Sequence, residues 1–495
     1  MRTTMNLFSA LDWTVVVLYL VGVIVFGLFK GGKQQSAQDY FLSEKKIHWL
    51  VVSLSIVATE TSSLTFISVP GIAYQGNFNF LQLVFGYIIG RIGVAYLLLP
   101  RYYKGNLTTV YALLEERFGA NTRRIASVVF IITRIFADGV RLYATAIPVV
   151  AIFRGYSLFS EVPDAVLYVS TIAAIAFATL IYVQFGGVRA VIWTDLVQLF
   201  IYILGGALAA LLISEKLPSL PAALSDAYAQ GKFALFNFSL QNFFSSPYQF
   251  FLALIGGAML SMASHGTDYI IVQRLFATDQ LRSAQKAVII SGMIVLVQFA
   301  LFLFIGVLLH ALYGGAAMRS DEVFPKFIVS GLPSGIAGLV IAAMLSAAMS
   351  TLSSSINAIA SSTVFDLYAA TAHGKRATPK EKLKLSKLIS FVWSLLLTLS
   401  AIAYLGLGKS VVEVALSIAS FTYGGLLGIF FLCIFFEHID SRAATLAFLA
   451  SIAVMTFVIT QTQLAWTLYT LIGLIVTLIT AQTLSRFFKP EMISK

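Results

Sequence analysis

Stretches of about twenty apolar residues recur along the whole 495-residue chain, and no other feature restricts its fold so tightly. Lipid offers no partner to backbone N–H and C=O groups, so a segment of that length crosses a bilayer as a helix, which satisfies them internally. The runs fall at roughly 11–29, 48–75, 79–100, 125–153, 165–185, 193–213, 249–270, 286–313, 334–364, 385–406, 411–436, 443–461 and 466–484. They predict an all-α polytopic membrane protein with about 13 transmembrane helices. Charged residues make up 11% of the chain, against about 25% in soluble domains. The first run is long enough to span and is followed by Lys30 and Lys33 with no small-residue cleavage site, so it reads as a spanning helix and not a signal peptide.

A formal charge of +11 could suggest nucleic acid. The Lys and Arg residues, however, concentrate in short loops, where they act as the orientation signal of membrane insertion. Lys30, Lys33, Lys45 and Lys46 follow the first span, Arg101, Lys104, Arg117, Arg123 and Arg124 the third, Arg274, Arg282 and Lys286 the seventh, and the cluster Lys375 to Lys387 the ninth. These loops share one side, the cytoplasm, and an odd number of spans then leaves the N-terminus outside and the C-terminus inside a cell (inner) membrane. An even number with one re-entrant run is the alternative. The single cysteine, Cys433, excludes an internal disulfide, and the five histidines lack ligand spacing, which argues against zinc.

Two runs carry polar interruptions. The second reads SIVATETSSLTFISVPG, and the seventh reads LIGGAMLSMASHGTD. They lie five spans apart and each opens a block of five. A tandem repeat of an odd-numbered block has inverted topology, and a helix broken at the same place in each half points to a binding site at mid-membrane. The chain thus divides into an extra helix and loop at 1–47, a first repeat at 48–213, an external segment at 214–248, a second repeat at 249–436, and two helices with a short tail at 437–495. No residue-level repeat is visible.

The ninth span holds SAAMSTLSSSINAIASS. Ser350, Ser353, Ser354, Asn357 and Ser361 fall at i, i+3, i+4, i+7 and i+11, one stripe down one helix face. Small hydroxyl residues serve as packing glue between membrane helices at about 0.6 kcal/mol each, but four hydroxyls between Ser350 and Ser354 exceed what glue requires. Hydroxyl and carbonyl oxygens with few charges suit a sodium ion. The break at Ala58 to Thr61 could lend carbonyls while Ser350 and Thr351 lend hydroxyls. Asp195, opening the sixth span, has two readings, a carboxylate complementing a helix N-terminus or a cation ligand facing Ser353 and Ser354. Arg134, Asp138 and Arg141, at i, i+4 and i+7, suggest an internal ion pair. Glu60, inside the first break, could bind a cationic or hydroxylated substrate or hold the unwound segment through a partner arginine.

Five stretches resemble the sodium:solute symporters, a family that includes sodium/glucose, proline, sialic acid, iodide and vitamin carriers. They are QDYFLSEKKIHW, TTVYALLEERFG, GGVRAVIWTDLVQ, TDYIIVQRLFAT and AAMLSAAMSTLSSSINAIAS, in family order across about residues 37 to 430. The resemblance implies a LeuT-type core of two inverted five-helix repeats, with one helix before it and two after. It implies a sodium site at the carbonyls of Ala58, Thr61 and Ala347 and the hydroxyls of Ser350 and Thr351, the last where relatives often carry serine. It also implies a possible second sodium at Asp195, Ser350, Ser353 and Ser354. Ala137 stands where sialic acid carriers place an arginine, with Arg134 and Arg141 a turn away. The implied substrate wall comprises Glu60, Thr61, Ser62, Gln82, Tyr143, Ser264, His265 and Phe421.

Together these readings predict a sodium-coupled symporter that imports a small polar organic solute such as a sugar, sialic acid, amino acid, carboxylate or vitamin by alternating access. Its partners are sodium, the solute and the lipid bilayer, with no nucleic acid and no obligate protein partner. A proton-coupled carrier or a cation channel of the same topology is the alternative. An enzyme is not expected, because no catalytic set is evident.

Overall fold

The computed structural model describes residues 8–43, 47–105, 107–154, 156–405 and 411–488. Lys45 and Lys46, used above for orientation, and the end of the tail lie outside them. Among the described residues every regular element is a helix.

Helix α1 (Ala10–Gly31) opens on a capping box in which Ser9 and Asp12 satisfy each other's backbone N–H groups. The first interrupted run forms α2 (Trp49–Glu60) and α3 (Ser63–Gln75), bent by 67°. The second forms α7 (Phe250–Gly266) and α8 (Tyr269–Leu275), bent by 64°. In the first break Thr61 adopts extended dihedrals, φ −72° and ψ 117°. In the second, Asp268 is extended, and its carboxylate accepts from the N–H of Ile270 (3.0 Å) to start α8.

Between them lie α4 (Phe80–Gly93), continued by a π-helical turn Val94–Leu98, then α5 (Ala120–Arg154) and α6 (Asp164–Lys216). As a straight rod α6 would reach about 80 Å, far beyond one bilayer. It folds into two arms at Gly187, where φ 58° and ψ −159° select glycine. A Cβ there would also lie 2.4 Å from the carbonyl oxygen of Tyr40. The second block continues with α9 (Leu281–Tyr313), α10 (Ser320–Gly331), α11 (Ile336–Ser362), α12 (Pro379–Ala403) and α13 (Val411–Phe435). The chain closes with α14 (Ser441–Gln461) and α15 (Tyr469–Ser485).

Among the described residues eight helices are long and apolar enough to cross a membrane, or ten if each bent pair is one span. Packing supplies the symmetry that residue comparison does not. Helix α4 runs along α7, while α9 runs along α2 and α3, so the second span of each block lies on the broken span of the other. Likewise α5 packs on α12 and α13, and α11 packs on α6. This reciprocal exchange is what a two-fold relation between two blocks produces.

Helix α11 sits at the centre and is buried along almost its whole length, so its hydroxyl stripe meets protein and not lipid. Its start is capped from α1: the other oxygen of the Asp12 carboxylate accepts from the N–H groups of Gly335 and Gly338, both at 2.7 Å.

Helix α9 approaches α3, the second arm of the first broken span, through Gly306, where a Cβ would lie 2.0 Å from the carbonyl oxygen of Pro70. Gly306→Ala therefore forces α3 and α9 apart. Overpacking of this kind costs about 1–3 kcal/mol, and the expected result is a lower unfolding midpoint. An unchanged midpoint would show that the two helices separate freely.

Candidate functional site: three polar clusters around the helix breaks

The first cluster lies where the α2–α3 break meets α11. The last backbone bond of α2 runs from the N–H of Thr61 to the carbonyl of Val57 (2.9 Å), and the N–H of Ser62 turns to Thr65 Oγ1 (3.4 Å). The helical ladder thus ends before the carbonyl of Ala58. Thr351 Oγ1 lies 3.1 Å from the carbonyl oxygen of Ala347 and 3.5 Å from that of Thr61. Two carbonyls and a hydroxyl from opposite blocks therefore converge, a donor set of hard oxygens that fits a small monovalent cation. The Thr61 side chain turns elsewhere, to Gln298 of α9 (2.7–3.0 Å). The hydroxyl of Ser350 donates to Asp195 Oδ1 (2.6 Å) and joins this cluster to the next.

In the second cluster Asp195 is fully buried. Its Oδ2 accepts from Ser55 Oγ (2.5 Å) and from the guanidinium of Arg274 (3.0 Å). Arg274 Nε also donates to Ser55 (2.9 Å), its Nη1 to the carbonyl of Ile270 (2.9 Å), and its Nη2 to Ser354. Ser354 Oγ faces Thr59 Oγ1 (3.3 Å), whereas Ser353 Oγ donates back to the carbonyl of Ser350 (3.0 Å). The structure thus brings Asp195, Ser350 and Ser354 together around an arginine. This corrects the use of Arg274 as a loop charge marking the cytoplasm: it lies in α8 with no exposure.

The third cluster begins at Glu60, which pairs with the fully buried Arg91 of α4. Arg91 also donates to Ser291 Oγ (2.6 Å). His265 Nε2 stands 3.5 Å from Glu60, while its Nδ1 is 2.8 Å from Ser264 Oγ. Of the two roles open to Glu60, this geometry supplies the arginine partner of the second. Nearby, Arg134 reaches across to Asp268 of the second break and donates to Tyr423 Oη (2.7 Å). Asp138 accepts from Ser355 Oγ (2.5 Å), Arg134 (3.5 Å) and Arg141 (3.3 Å). The ion pair expected within α5 is present, but the main partner of Arg134 is Asp268.

Other residues assigned to the substrate wall are dispersed. Ser62 is buried at the break. Gln82 is spent on backbone: it donates to the carbonyls of Asn79 and Tyr248 and accepts from the N–H of Asn237, each at 3.0 Å, and so fastens the segment between α6 and α7. Tyr143 lies against the Tyr168 ring, with centroids 5.6 Å apart. Phe421 lines an apolar groove of about 450 Å³ between α5, α13 and α14, with Val129, Ile132 and Ile452. Sequence reasoning missed Ser55, Gln298 and Ser355 as partners. The available signal was a polar side chain on an otherwise apolar face of a spanning helix.

Comparison with known proteins fits this geometry. The family model described as the sodium:solute symporter family matches residues 40–453. The chain is 27% identical to the sodium/sialic acid symporter NanT of Aliivibrio fischeri over 98% of this chain and 95% of that protein. It is 28% identical to the human sodium/iodide cotransporter over 86% of this chain and 66% of that one. A solved Na+-coupled sialic acid symporter in a substrate-bound outward-open state superposes with a TM-score of 0.85 at 26% identity, covering 98% of this chain and 99% of that one. MhsT, solved with L-phenylalanine, shares the fold with a TM-score of 0.52 at 15% identity, over 89% of this chain and 99% of that one. The two broken spans, their reciprocal packing and these matches lead to one conclusion: this integral membrane protein has a LeuT-type core and belongs to the sodium:solute symporter family.

Proposed function

We propose that the chain moves a small organic solute inward across the cell membrane together with one sodium ion per cycle, without chemically altering the solute. The observation that carries this reading is the convergence of the Thr61 and Ala347 carbonyls with the Thr351 hydroxyl, from two blocks packed in exchange. The carbonyl of Ala58 and the hydroxyl of Ser350 complete the proposed donor set. The N-terminus faces outside and the C-terminus the cytoplasm, with repeats at 48–213 and 249–436 forming about ten of some thirteen spans.

A cation at this junction ties the broken helix of one block to α11 of the other. It thereby favours the arrangement in which both breaks frame the solute between Glu60, Thr61, Ser62, Ser264 and His265. Coupling is reciprocal: sodium tightens solute binding by the factor with which solute tightens sodium binding. One charge moving through about 100 mV releases about 2.3 kcal/mol, enough for about 40-fold accumulation.

A single sodium follows from the second cluster. The Arg274 guanidinium already supplies the positive charge beside Asp195 and engages Ser354. A second cation there would meet an arginine in a fully buried site, where like charges repel strongly.

Thermal unfolding of the purified protein in sodium against choline tests the first site. Removing one hydroxyl ligand, as in Thr351→Ala, should raise the sodium concentration for half-maximal stabilisation about tenfold or more. Thr351→Ser should stay within about twofold, since the hydroxyl remains. Equal sodium dependence of wild type and Thr351→Ala would remove the sodium assignment.

A further inference from the structure

The segment between α6 and α7 changes character at Lys232. From there to Asp268 the chain holds no Asp, Glu, Lys or Arg, although residues 230–249 lie outside every helix. Residues 236–241 read FNFSLQ, apolar and polar in strict alternation. That two-residue period gives an extended backbone one apolar face. Phe236, Phe238 and Leu240 are 51%, 59% and 75% exposed. Large apolar groups left open in a row mark a surface that meets something other than water.

The row continues two lipid-facing stripes. Phe236 stacks on Phe85 of α4, with centroids 6.4 Å apart. Phe85 heads a line of exposed apolar residues on that helix, Ile89, Ile92 and Tyr96, at i+4, i+7 and i+11. Phe238 packs on Phe250 and Phe251 in the first turn of α7, at 4.8 and 6.5 Å. Phe251 and Ile255, one turn further on, are the exposed face of α7. In a spanning helix an exposed apolar stripe meets acyl chains. The row therefore lies at the depth where α7 enters the bilayer.

Non-helical backbone at that depth needs partners from the protein. The polar positions of the alternation provide them. The N–H of Asn237 donates to Gln82 Oε1 (3.0 Å), and its carbonyl accepts from the N–H of Phe250 (2.8 Å). The N–H of Ser239 donates to Asn237 Oδ1 (3.1 Å), and that of Gln241 to Ser239 Oγ (3.2 Å). Further along, the carbonyl of Phe244 accepts from the N–H of Ala465, between α14 and α15 (2.8 Å). Alternate residues thus hold the backbone and leave the apolar ones turned outward.

We propose that Phe236, Phe238 and Leu240 form a membrane anchor whose partner is the lipid surface itself. The row inserts at the boundary between headgroups and acyl chains, in the leaflet where α7 begins. Aromatic rings are favoured at that boundary, and the absence of charge lets the strip lie there without stripping water from an ion. Its bonds to Gln82 of α4 and Phe250 of α7 make the bilayer bear directly on the start of the second broken span.

The test uses the full-length protein in phosphatidylcholine vesicles. Cys433 is the single cysteine, so in a Cys433→Ser background one introduced cysteine takes a nitroxide label. Relaxation of the label is read with molecular oxygen, which concentrates in hydrocarbon, and with a neutral nickel chelate, which stays in water. The tested sites are Phe238→Cys and Leu240→Cys. Val297→Cys, at the middle of α9 and 70% exposed, is the lipid reference, and Lys380→Cys, on the exposed charged start of α12, is the water reference. The expected oxygen-to-nickel ratio at both tested sites is severalfold above that at Lys380 and approaches that at Val297. Leu240 is the most exposed of the row, so its cysteine keeps the test open where Phe238→Cys does not fold. Nickel access equal to that at Lys380 puts the strip in water and overturns the proposal. Shielding from both oxygen and nickel shows the row covered by protein, a second copy of the chain included, and overturns it as well.

Discussion

Arg274→Gln should produce the largest loss of stability of any single change in the bundle, and that loss should be recovered by sodium. The substitution leaves Asp195 fully buried, with only the hydroxyls of Ser350 and Ser55 against its charge. Breaking a buried pair by removing one partner costs about 3–5 kcal/mol, so the unfolding midpoint in choline falls well below that of wild type. The vacated position is bounded by a carboxylate and the oxygens of Ser350 and Ser354, a donor set that a sodium ion can use. Addition of sodium should therefore raise the variant's midpoint more than it raises the wild type's. Adding Asp195→Asn removes the bare charge, and the double variant should regain most of the stability and lose the extra sodium response. A midpoint for Arg274→Gln equal to wild type in choline would show that the pair adds nothing. A loss that sodium does not touch would show that the position cannot hold a cation.

The second large effect is expected at Glu60. Neutralising it in Glu60→Gln leaves Arg91 without its counter-ion inside α4, where Ser291 is its remaining partner. The penalty is again about 3–5 kcal/mol. Function should respond unevenly. The Glu60 side chain is 21% exposed and faces Arg91 and His265, whereas the proposed ion ligand from this segment is the Thr61 backbone carbonyl. The KM for solute should rise more than the sodium concentration for half-maximal uptake. Pairing Glu60→Gln with Arg91→Met removes the unmatched charge and should restore stability without restoring solute affinity. Weakened sodium activation at an unchanged KM for solute would place Glu60 with the ion instead.

The broken spans were legible in the sequence because Thr59 to Ser63 and Ser264 to Asp268 put hydroxyls and charges where an apolar helix needs none. The convergence of Thr351 on Thr61 was legible too, because a break in one apolar run and a hydroxyl cluster in another are the two places where spare oxygens gather. Pairings among charges were not. Periodicity gives the direction of a side chain around its own helix and says nothing of which helix it meets, so Arg134 read as the partner of Asp138, four residues away. Its stronger partner, Asp268, is 134 residues distant. Arg274 read as a loop charge because it follows an apolar run closely, and only the bend after Gly266 shows that the chain continues as a buried helix. Gln82 looked available for solute because the backbone it fastens between α6 and α7 carries no motif.

The Asp12 carboxylate joins two helix starts, its own and that of α11, whose amides lie 323 and 326 residues further along the chain. Translation delivers α1 first, long before its partners exist. During synthesis that carboxylate has only Ser9 as a partner until the ninth hydrophobic run has been made. Closure of the bundle around the hydroxyl-rich helix is therefore a late event in biogenesis. A nascent chain arrested before Gly335 carries the whole first broken span and none of the amides that seat α11 against α1.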